Sequence, residues 1–313
     1  MEHIYIFGHQ SPDTDSICSA IVYSEFKNKL GEEKYVPARL GELNRETTFV
    51  LNYFDAETPT LLEDGTNKKI ILVDHNELSQ SVPNREKAEI LEVIDHHRIG
   101  NFQTANPLYM HLEPVGCTCT ILYKKFIENS LPISEKLAGL MLSAILSDTL
   151  ALTSPTCTEE DIMAVKILAD LAEIDDYEAY AEDMLKEGSS LEGYSVSEIL
   201  SIDSKSFTFG DISGVISQVL TYDTSEVFKL KNELIKEMDE LLKKQNGTLS
   251  IFMLTDIQKN SSTLFVTGSN LEIAYEAFGG NLGENIELPG VVSRKKQIVP
   301  KLTEAALAKS VNK

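Results

Sequence analysis

Three short apolar segments in this chain are each followed at once by a cluster of Asp and His residues. The segments are residues 4–7, 69–73 and 90–94, and the clusters begin at Gly8, Asp74 and Asp95. A continuous apolar run of this length is typical of a parallel strand buried on both faces. The carboxyl ends of parallel strands meet at one edge of a sheet, where open α/β proteins bind their ligands. The sequence therefore predicts one shared polar site at that edge.

The first cluster places His9, Asp13 and Asp15 within seven residues. It lies between an apolar strand and a predicted helix over residues 16–30, which Gly31 ends. Charged groups packed this closely need a positive partner among them, and a divalent metal ion usually supplies it. The alternative is a solvated loop in which the Asp residues cap the helix.

The other candidate ligands are Asp74, His96 and Asp148. Asp74 and His96 follow the second and third apolar strands, and Asp148 lies in the last turn of a predicted buried helix over residues 134–149. A carboxylate at that end of a helix is desolvated and faces the negative end of the helix dipole. It needs a strong partner, for which the alternatives are a metal ion or a set of hydrogen bonds.

The candidate metal ligands are therefore His9, Asp13, Asp15, Asp74, His96 and Asp148. Four carboxylates balance two divalent ions, and oxygen ligands with two imidazoles suit manganese or cobalt better than magnesium, with zinc also possible. Shared Asp residues would bring the ions to roughly 3.5–4 Å, where a pair can activate one bridging water and hold a phosphoryl group. The implied chemistry is phosphoryl transfer to water.

Composition limits the partners and the compartment. A net charge of −21 over 313 residues disfavours nucleic acid and an anionic membrane as partners. The four cysteines form no CxxC pair, the amino terminus has no cationic segment leading into an apolar one, and the most apolar stretch, residues 137–146, is too short to span a bilayer. We therefore expect a soluble cytoplasmic protein.

The length predicts two domains. Thr158 and Asp161 form a predicted capping box, a further helix follows over residues 176–188, and a segment rich in Gly and Ser comes next. We expect a catalytic metal-binding domain over residues 1–187, a linker over 188–193 and a substrate-binding domain over 194–313.

The second domain is predicted to be α/β or α+β and contains no histidine. Strand-like runs are found at residues 206–209, 214–220, 249–254 and 263–266, with a long helix over 225–245. A basic triplet, Arg294-Lys295-Lys296, interrupts a strand-like run over residues 289–300. In so acidic a chain this indicates an anion site more than a solvated face. Because a regular strand would point Arg294 and Lys295 to opposite faces, we expect a bulge or turn there.

These motifs resemble the family II, manganese-dependent inorganic pyrophosphatases of the DHH phosphoesterase superfamily. The resemblance is carried by residues 8–16, 74–77, 95–97, 148 and 293–296. The first and third motifs are shared across the superfamily, whereas the Ser-Arg-Lys-Lys sequence and the length indicate a pyrophosphatase. The resemblance implies an α/β fold with a parallel-sheet N-terminal DHH domain, a smaller α/β C-terminal domain and an active site between them.

The resemblance also implies an enzyme that hydrolyses pyrophosphate to two orthophosphates with a water bridging a dinuclear manganese centre. It implies two Mn²⁺ per subunit, with Co²⁺ possible, Mg²⁺ accompanying the substrate, and a homodimer. One ion would be held by His9, Asp13, Asp74 and Asp148, and the other by Asp15, Asp74, His96 and Asp148. His97, Lys205, Arg294 and Lys295 would be catalytic and would bind substrate together with Gln80, while Asp95 would be an orienting residue. His75 receives no role.

Two other functions remain open from the sequence. A DHH exopolyphosphatase or short-oligonucleotide phosphoesterase would use the same metals, although the nuclease branch usually carries a Gly-Gly-Gly-His motif that residues 279–281 do not provide. A phosphate sensor without turnover is the other alternative, and a complete set of metal ligands argues against it.

Overall fold

The computed structural model describes residues 3–31, 34–104, 106–244 and 246–311. The chain divides into two compact units, Met1–Gly188 and Ser189–Lys313. The first unit contains a parallel sheet with helices, and the second contains a mixed sheet with helices. The two-domain α/β fold is therefore confirmed.

The sheet of the first unit has six strands. They are β1 (Ile4–Phe7), β2 (Tyr35–Arg39), β3 (Thr60–Leu61), β4 (Lys69–Val73), β5 (Glu89–Asp95) and β6 (Tyr109–Leu112). Every pair is parallel and the order is β3-β2-β1-β4-β5-β6. The three predicted strands, β1, β4 and β5, are neighbours at the centre, so their polar clusters emerge side by side.

The described residues of the first unit form six α-helices. They are α1 (Thr14–Leu30), α2 (Arg45–Tyr53), α3 (Thr118–Glu128), α4 (Glu135–Asp148), α5 (Glu159–Leu171) and α6 (Tyr177–Gly188). Helix α1 begins at Thr14 because the Asp13 side chain caps it, accepting a hydrogen bond from the Ser16 amide. The predicted capping box of Thr158 and Asp161 is confirmed at α5. Asp148 is the last residue of α4, as predicted.

The second unit is built on a five-stranded sheet. Its strands are β7 (Ser204–Phe209), β8 (Ile212–Thr221), β9 (Leu249–Asp256), β10 (Ser261–Thr267) and β11 (Ile286–Pro289), in the order β11-β10-β9-β8-β7. Only β8 and β9 pair in parallel. The helices are α7 (Val196–Ser201), α8 (Ser225–Lys229), α9 (Lys231–Lys244), α10 (Glu272–Phe278) and α11 (Val299–Val311). Adjacent residues of β9 point to opposite faces of the sheet and pack in different cores. Ile251 belongs to one apolar cluster and Phe252 to the other.

The prediction of one helix over residues 225–245 is wrong. The chain forms α8 and α9 instead, and Gln245 lies outside the described residues. Helix α8 ends where the Leu230 amide donates to the Val227 carbonyl oxygen, three residues back, at 3.0 Å. This tighter bond interrupts the α-helical pattern before α9 begins.

The strand-like interpretation of residues 289–300 is also wrong. Strand β11 ends at Pro289, and Arg294–Ile298 forms a π-helical turn that leads into α11. The Ser293 side chain caps this turn by accepting from the Lys296 amide. Ile298 and Leu302 are buried together in one core at helical spacing, which favours a helix over a strand. The expected turn at the basic triplet is therefore present, but within a helix.

Candidate metal centre

The structure brings the six predicted metal ligands together at the carboxyl edge of the first unit's sheet. Two groups drawn entirely from these six residues have ligand atoms that all lie within 4.8 Å of one another. The first group is His9, Asp13 and Asp74, and the second is Asp15, Asp74, His96 and Asp148. Asp74 belongs to both groups, whereas Asp148 belongs to one of them. Asp74 is therefore common to the two groups.

The two carboxylate oxygens of Asp74 face different histidines. His9 Nε2 lies 3.5 Å from Asp74 Oδ2 and 3.2 Å from Asp13 Oδ2. His96 Nε2 lies 3.4 Å from Asp74 Oδ1 and 3.6 Å from Asp148 Oδ2. Asp74 is thus placed between the two groups, with one oxygen available to each.

Backbone carbonyl groups orient both histidines. The Nδ1–H of His9 donates to the Gln10 carbonyl oxygen at 2.8 Å, and that of His96 donates to Val115 at 3.1 Å. A carbonyl oxygen can only accept, so each ring carries a hydrogen on Nδ1, and Nε2, which faces the carboxylates, is the nitrogen left to bind a metal. Burial lowers the pKa of each imidazole, but the neighbouring carboxylates outweigh it and raise the pKa to about 9, so a metal ion at Nε2 would displace a proton.

The hydrogen bonding of His96 Nε2 indicates whether the site suits a metal ion. Across the part of the chain that the structure describes, it is the one buried side-chain nitrogen or oxygen without a hydrogen-bond partner. Buried polar atoms are normally paired, so such an atom inside a ring of carboxylates is a ligand position. Imidazole nitrogens combined with carboxylate oxygens suit manganese or a similar divalent ion. The residues present therefore fit a divalent metal ion.

Asp74 is held by its backbone and by two hydroxyl groups. Its φ of +58° lies in the left-handed region, which costs free energy for a residue other than glycine and is typical of functional positions. Ser16 Oγ donates to Asp74 Oδ2 at 2.6 Å, and Thr118 Oγ1 donates to Oδ1 at 3.3 Å. Burial raises the pKa of Asp74 to about 7, and the nearby Asp15 contributes to the rise.

The amino end of α3 positions Asp15. The amides of Thr118 and Cys119 donate to the Asp15 carboxylate at 2.7 Å and 3.2 Å. Ser19 Oγ, one turn along α1, donates to it at 2.8 Å. A carboxylate is favoured at the amino end of a helix by the helix dipole. These contacts fix Asp15 deep in the site before any ion binds.

Burial raises the pKa of Asp148 well above its ordinary value, and the charges of Asp15 and Asp74 raise it further. The same carboxylates therefore repel one another when no cation lies among them. This electrostatic strain is a second reason why the cluster requires positive charge.

His97 lies beside the metal ligands with about half of its side chain exposed. Its Nδ1–H donates to Asp95 Oδ1 at 2.9 Å, and Asn76 Nδ2 donates to the other oxygen of Asp95 at 2.7 Å. Asp95 thus orients His97, and Asn76 orients Asp95. The sequence analysis did not single out Asn76, although its place after Asp74 in the second polar cluster was a signal.

A cavity of about 290 Å³ opens over this cluster. Its lining residues are His9, Asp74, His75, Asn76, Glu77, Gln80, His97 and Arg98. Gln80, which the family resemblance indicated, is exposed at this cavity, and so is Arg98, which the sequence analysis missed. Arg98 lies next to His97 in the third cluster, and an exposed arginine there is a further cation facing the cavity.

His75, for which no role was predicted, is buried. Burial lowers the pKa of His75 to about 4, so the ring is neutral. Its Nδ1–H donates to the Val73 carbonyl oxygen at 2.9 Å, and its Nε2 accepts from Ser81 Oγ at 3.0 Å. The ring therefore ties the end of β4 to the loop that carries Gln80.

The three predicted cations of the second unit lie in different environments. Lys205 is exposed on β7, and Lys295 is exposed on the π-helical turn. Arg294 is buried, and its Nη2 donates to both carboxylate oxygens of Asp203 at 2.8 Å. Asp203, which was not predicted as a site residue, lies 91 residues before Arg294 in the chain. A pairing at that separation leaves no local sequence signal.

No helix among the described residues is long and apolar enough to cross a membrane.

Two family models match the chain. The DHH family, N-terminal domain matches residues 3–145, and the DHHA2 domain matches residues 182–305. The manganese-dependent inorganic pyrophosphatase of Bacillus subtilis (strain 168) is 49% identical over 308 residues, which cover 97% of this chain and 99% of that protein. The "probable manganese-dependent inorganic pyrophosphatase" of Clostridium acetobutylicum is 48% identical over 304 residues, covering 96% and 97%.

Among solved structures, the chain is similar to a Methanococcus jannaschii protein described as a "putative family II inorganic pyrophosphatase". The two share 39% identity with a TM-score of 0.66, and the match covers 97% of this chain and 99% of the other. Because the domain models and the full-length relatives agree with the geometry of the site, the chain belongs to the manganese-dependent, family II inorganic pyrophosphatases of the DHH family.

Proposed function

We propose that this protein hydrolyses inorganic pyrophosphate to two orthophosphates at the site formed by the six clustered ligands. The observation that carries the proposal is the position of Asp74, whose two oxygens face separate groups of metal ligands. The unpartnered His96 Nε2 supports it. The relatives' names, which specify manganese and pyrophosphate, supply the metal and the substrate.

In this proposal His9, Asp13 and Asp74 hold one manganese ion, and Asp15, Asp74, His96 and Asp148 hold the other. When bound, two such ions neutralise phosphoryl charge and activate water. The chain's own contribution is to fix the ligands in advance. Ser16 and Thr118 hold the shared carboxylate, and backbone carbonyls hold the imidazoles.

Pyrophosphate carries several negative charges, so cations and hydrogen-bond donors of the protein must bind its oxygens. In the first unit, His97 and Gln80 line the cavity above the ligands and provide donors there. Lys205, Arg294 and Lys295 supply positive charge from the second unit. We propose that these five residues bind the substrate, with Asp95 keeping the His97 ring in place.

We further infer a cytoplasmic homodimer with two Mn²⁺ per subunit, replaceable by Co²⁺, and Mg²⁺ accompanying the substrate. The relatives' names support manganese, and the motif resemblance implies the number of ions, the other metals and the dimer. Four free cysteines support a reducing compartment, and a net charge of −21 supports the absence of nucleic acid and membrane partners.

The test compares phosphate release from pyrophosphate, tripolyphosphate, long polyphosphate and a short oligonucleotide with manganese present. Asp74→Asn is the variant expected to be inactive. Asp55→Asn is its matched control, because Asp55 also has a positive φ but is exposed and belongs to neither ligand group. We expect pyrophosphate to be hydrolysed fastest. Equal or faster turnover of long polyphosphate would favour an exopolyphosphatase, and binding without turnover would favour a sensor.

A further inference from the structure

Lys205 and Arg294 both lie beside one carboxylate, that of Asp203. Lys205 Nζ is 3.6 Å from Asp203 Oδ1, and Arg294 Nη2 is 2.8 Å from each of its oxygens. Asp203 immediately precedes β7, which carries Lys205, and Arg294 begins the π-helical turn. One acidic residue thus gathers two cations from distant parts of the chain.

The contacts of Arg294 are more extensive than this ion pair. Its Nη1 donates to the backbone carbonyl oxygens of Asp203 and Ile216 at 2.6 Å and 3.0 Å. With the two contacts from Nη2, the guanidinium makes four hydrogen-bond contacts, two to the Asp203 carboxylate and two to backbone carbonyl oxygens. Arg294 is therefore fixed between the start of β7 and β8.

We propose that Asp203 is a positioning residue for pyrophosphate, holding Lys205 and Arg294 side by side so that their charges act on the substrate together. This inference rests on the proposed function. Two cations brought together without a counter-ion repel each other, and a buried guanidinium without one is strongly destabilising. Asp203 removes both costs, since it lies against the buried Arg294 and the exposed Lys205 at once.

The alternative is that Asp203 competes with the substrate by occupying its cations. The contacts favour positioning over competition. Two of the Arg294 donors are bonded to backbone carbonyls, which an incoming anion does not displace. Lys205 remains 63% exposed at 3.6 Å from Asp203, so it can reach a phosphate oxygen while the carboxylate stays in place.

The experiment compares Asp203→Asn and Asp203→Glu with Asp211→Asn. Asp211 is exposed at the turn between β7 and β8, so its substitution removes the same charge from the same hairpin without touching Arg294. For each variant we would measure kcat and KM for pyrophosphate, bound manganese, affinity for methylenediphosphonate and the unfolding midpoint, working below the lowest midpoint.

We expect Asp203→Asn to raise KM and to weaken diphosphonate binding by about tenfold or more, the effect of losing a charge-assisted contact. Manganese content should not change, because the proposed ligands all belong to the first unit. Asp203→Glu should recover part of the affinity, and Asp211→Asn should behave like the unaltered chain.

A double-mutant cycle with Lys205→Ala separates positioning from a purely structural role. If Asp203 acts through Lys205, removing Lys205 should matter several-fold less in Asp203→Asn than in the unaltered chain. A loss of stability alone would produce no such coupling. The proposal fails if Asp203→Asn has the affinity of Asp211→Asn, or if it binds diphosphonate more tightly.

If Asp203→Asn does not fold, Asp203→Glu decides, since a KM equal to that of the unaltered chain would also overturn the proposal. If the unaltered chain releases no phosphate from pyrophosphate, the proposed function fails. In that case the diphosphonate affinities still decide whether Asp203 organises an anion site.

Discussion

The Ser16 hydroxyl donates a 2.6 Å hydrogen bond to Asp74 Oδ2, joining the first turn of α1 to the carboxylate that both ligand groups share. Contacts of this kind around metal ligands are worth roughly 10- to 100-fold in metal affinity or activity. We expect Ser16→Ala to weaken manganese binding by about that factor, measured by equilibrium dialysis. Ser24→Ala is the control, because the Ser24 hydroxyl on the same helix donates to the Ile21 carbonyl oxygen instead of to a carboxylate. Equal affinity in both variants would show that Ser16 does not hold Asp74 for the metal.

Asp74 and Asp148 should differ when each is replaced by Asn. Asp74 belongs to both ligand groups and Asp148 to one, so Asp74→Asn should lose both ions while Asp148→Asn retains the one at His9. Asn tolerates the left-handed backbone of residue 74, which limits damage to the fold. Bound manganese per chain, measured by elemental analysis, checks this. Full occupancy in Asp74→Asn would refute a shared ligand.

Lys295 and Lys296 are adjacent exposed lysines on the π-helical turn, but the proposed function assigns the substrate to Lys295. By analogy with the loss of one oxyanion donor, Lys295→Ala should lower the rate of phosphate release about 10²- to 10³-fold with manganese content unchanged. Lys296→Ala is the matched control and should stay near the original rate. Similar rates in the two variants would show that the basic triplet is an ordinary solvated surface and does not bind the substrate.

Glu46 provides a pH-dependent test of stability. It accepts hydrogen bonds from Thr14 and Ser147, and burial raises its pKa, with the charge of Asp13 adding to the rise. A raised pKa in the folded state means that folding opposes the charged form. This cost is complete above the folded pKa and disappears as the pH falls towards the ordinary value. Glu46→Gln keeps the acceptor oxygen and removes the charge.

We therefore expect Glu46→Gln to be more stable than the unaltered chain at neutral pH, with the difference shrinking in acid. Urea unfolding across a pH series measures it. Glu42→Gln, at an exposed carboxylate paired with Arg39, is the comparison and should show no such gain. A difference that grows in acid would contradict the sign of the Glu46 effect.

The sequence was most informative where local pattern and chemistry coincide. Strands β1 and β4 are short apolar runs, and the ligands follow them directly, so both the strands and the shared edge could be predicted. Asp148 could be placed at a helix end because the apolar residues of α4 cover most of its circumference.

The wrong or missing predictions concern places where contacts between residues far apart in the chain determine the structure. The apolar residues on either side of the basic triplet, Val291, Val292 and Val299, predicted a strand. Burial of Ile298 together with residues of α11 favours a helix instead. Thr118 and Asp203 were missed because their partners, Asp74 and Arg294, are far away in the chain. The pattern of residues within a single segment cannot indicate contacts between side chains that are so far apart in the chain.

The proposed metal ligands run from His9 to Asp148, so they are all encoded within the first unit, Met1–Gly188. During synthesis this unit leaves the ribosome first, and N-terminal domains generally fold first. A nascent chain can thus acquire its ions before Lys205, Arg294 and Lys295 have been translated. The order of translation would then separate metal binding from substrate binding in time. The growing chain would hold its metal ions before the cations that bind pyrophosphate exist.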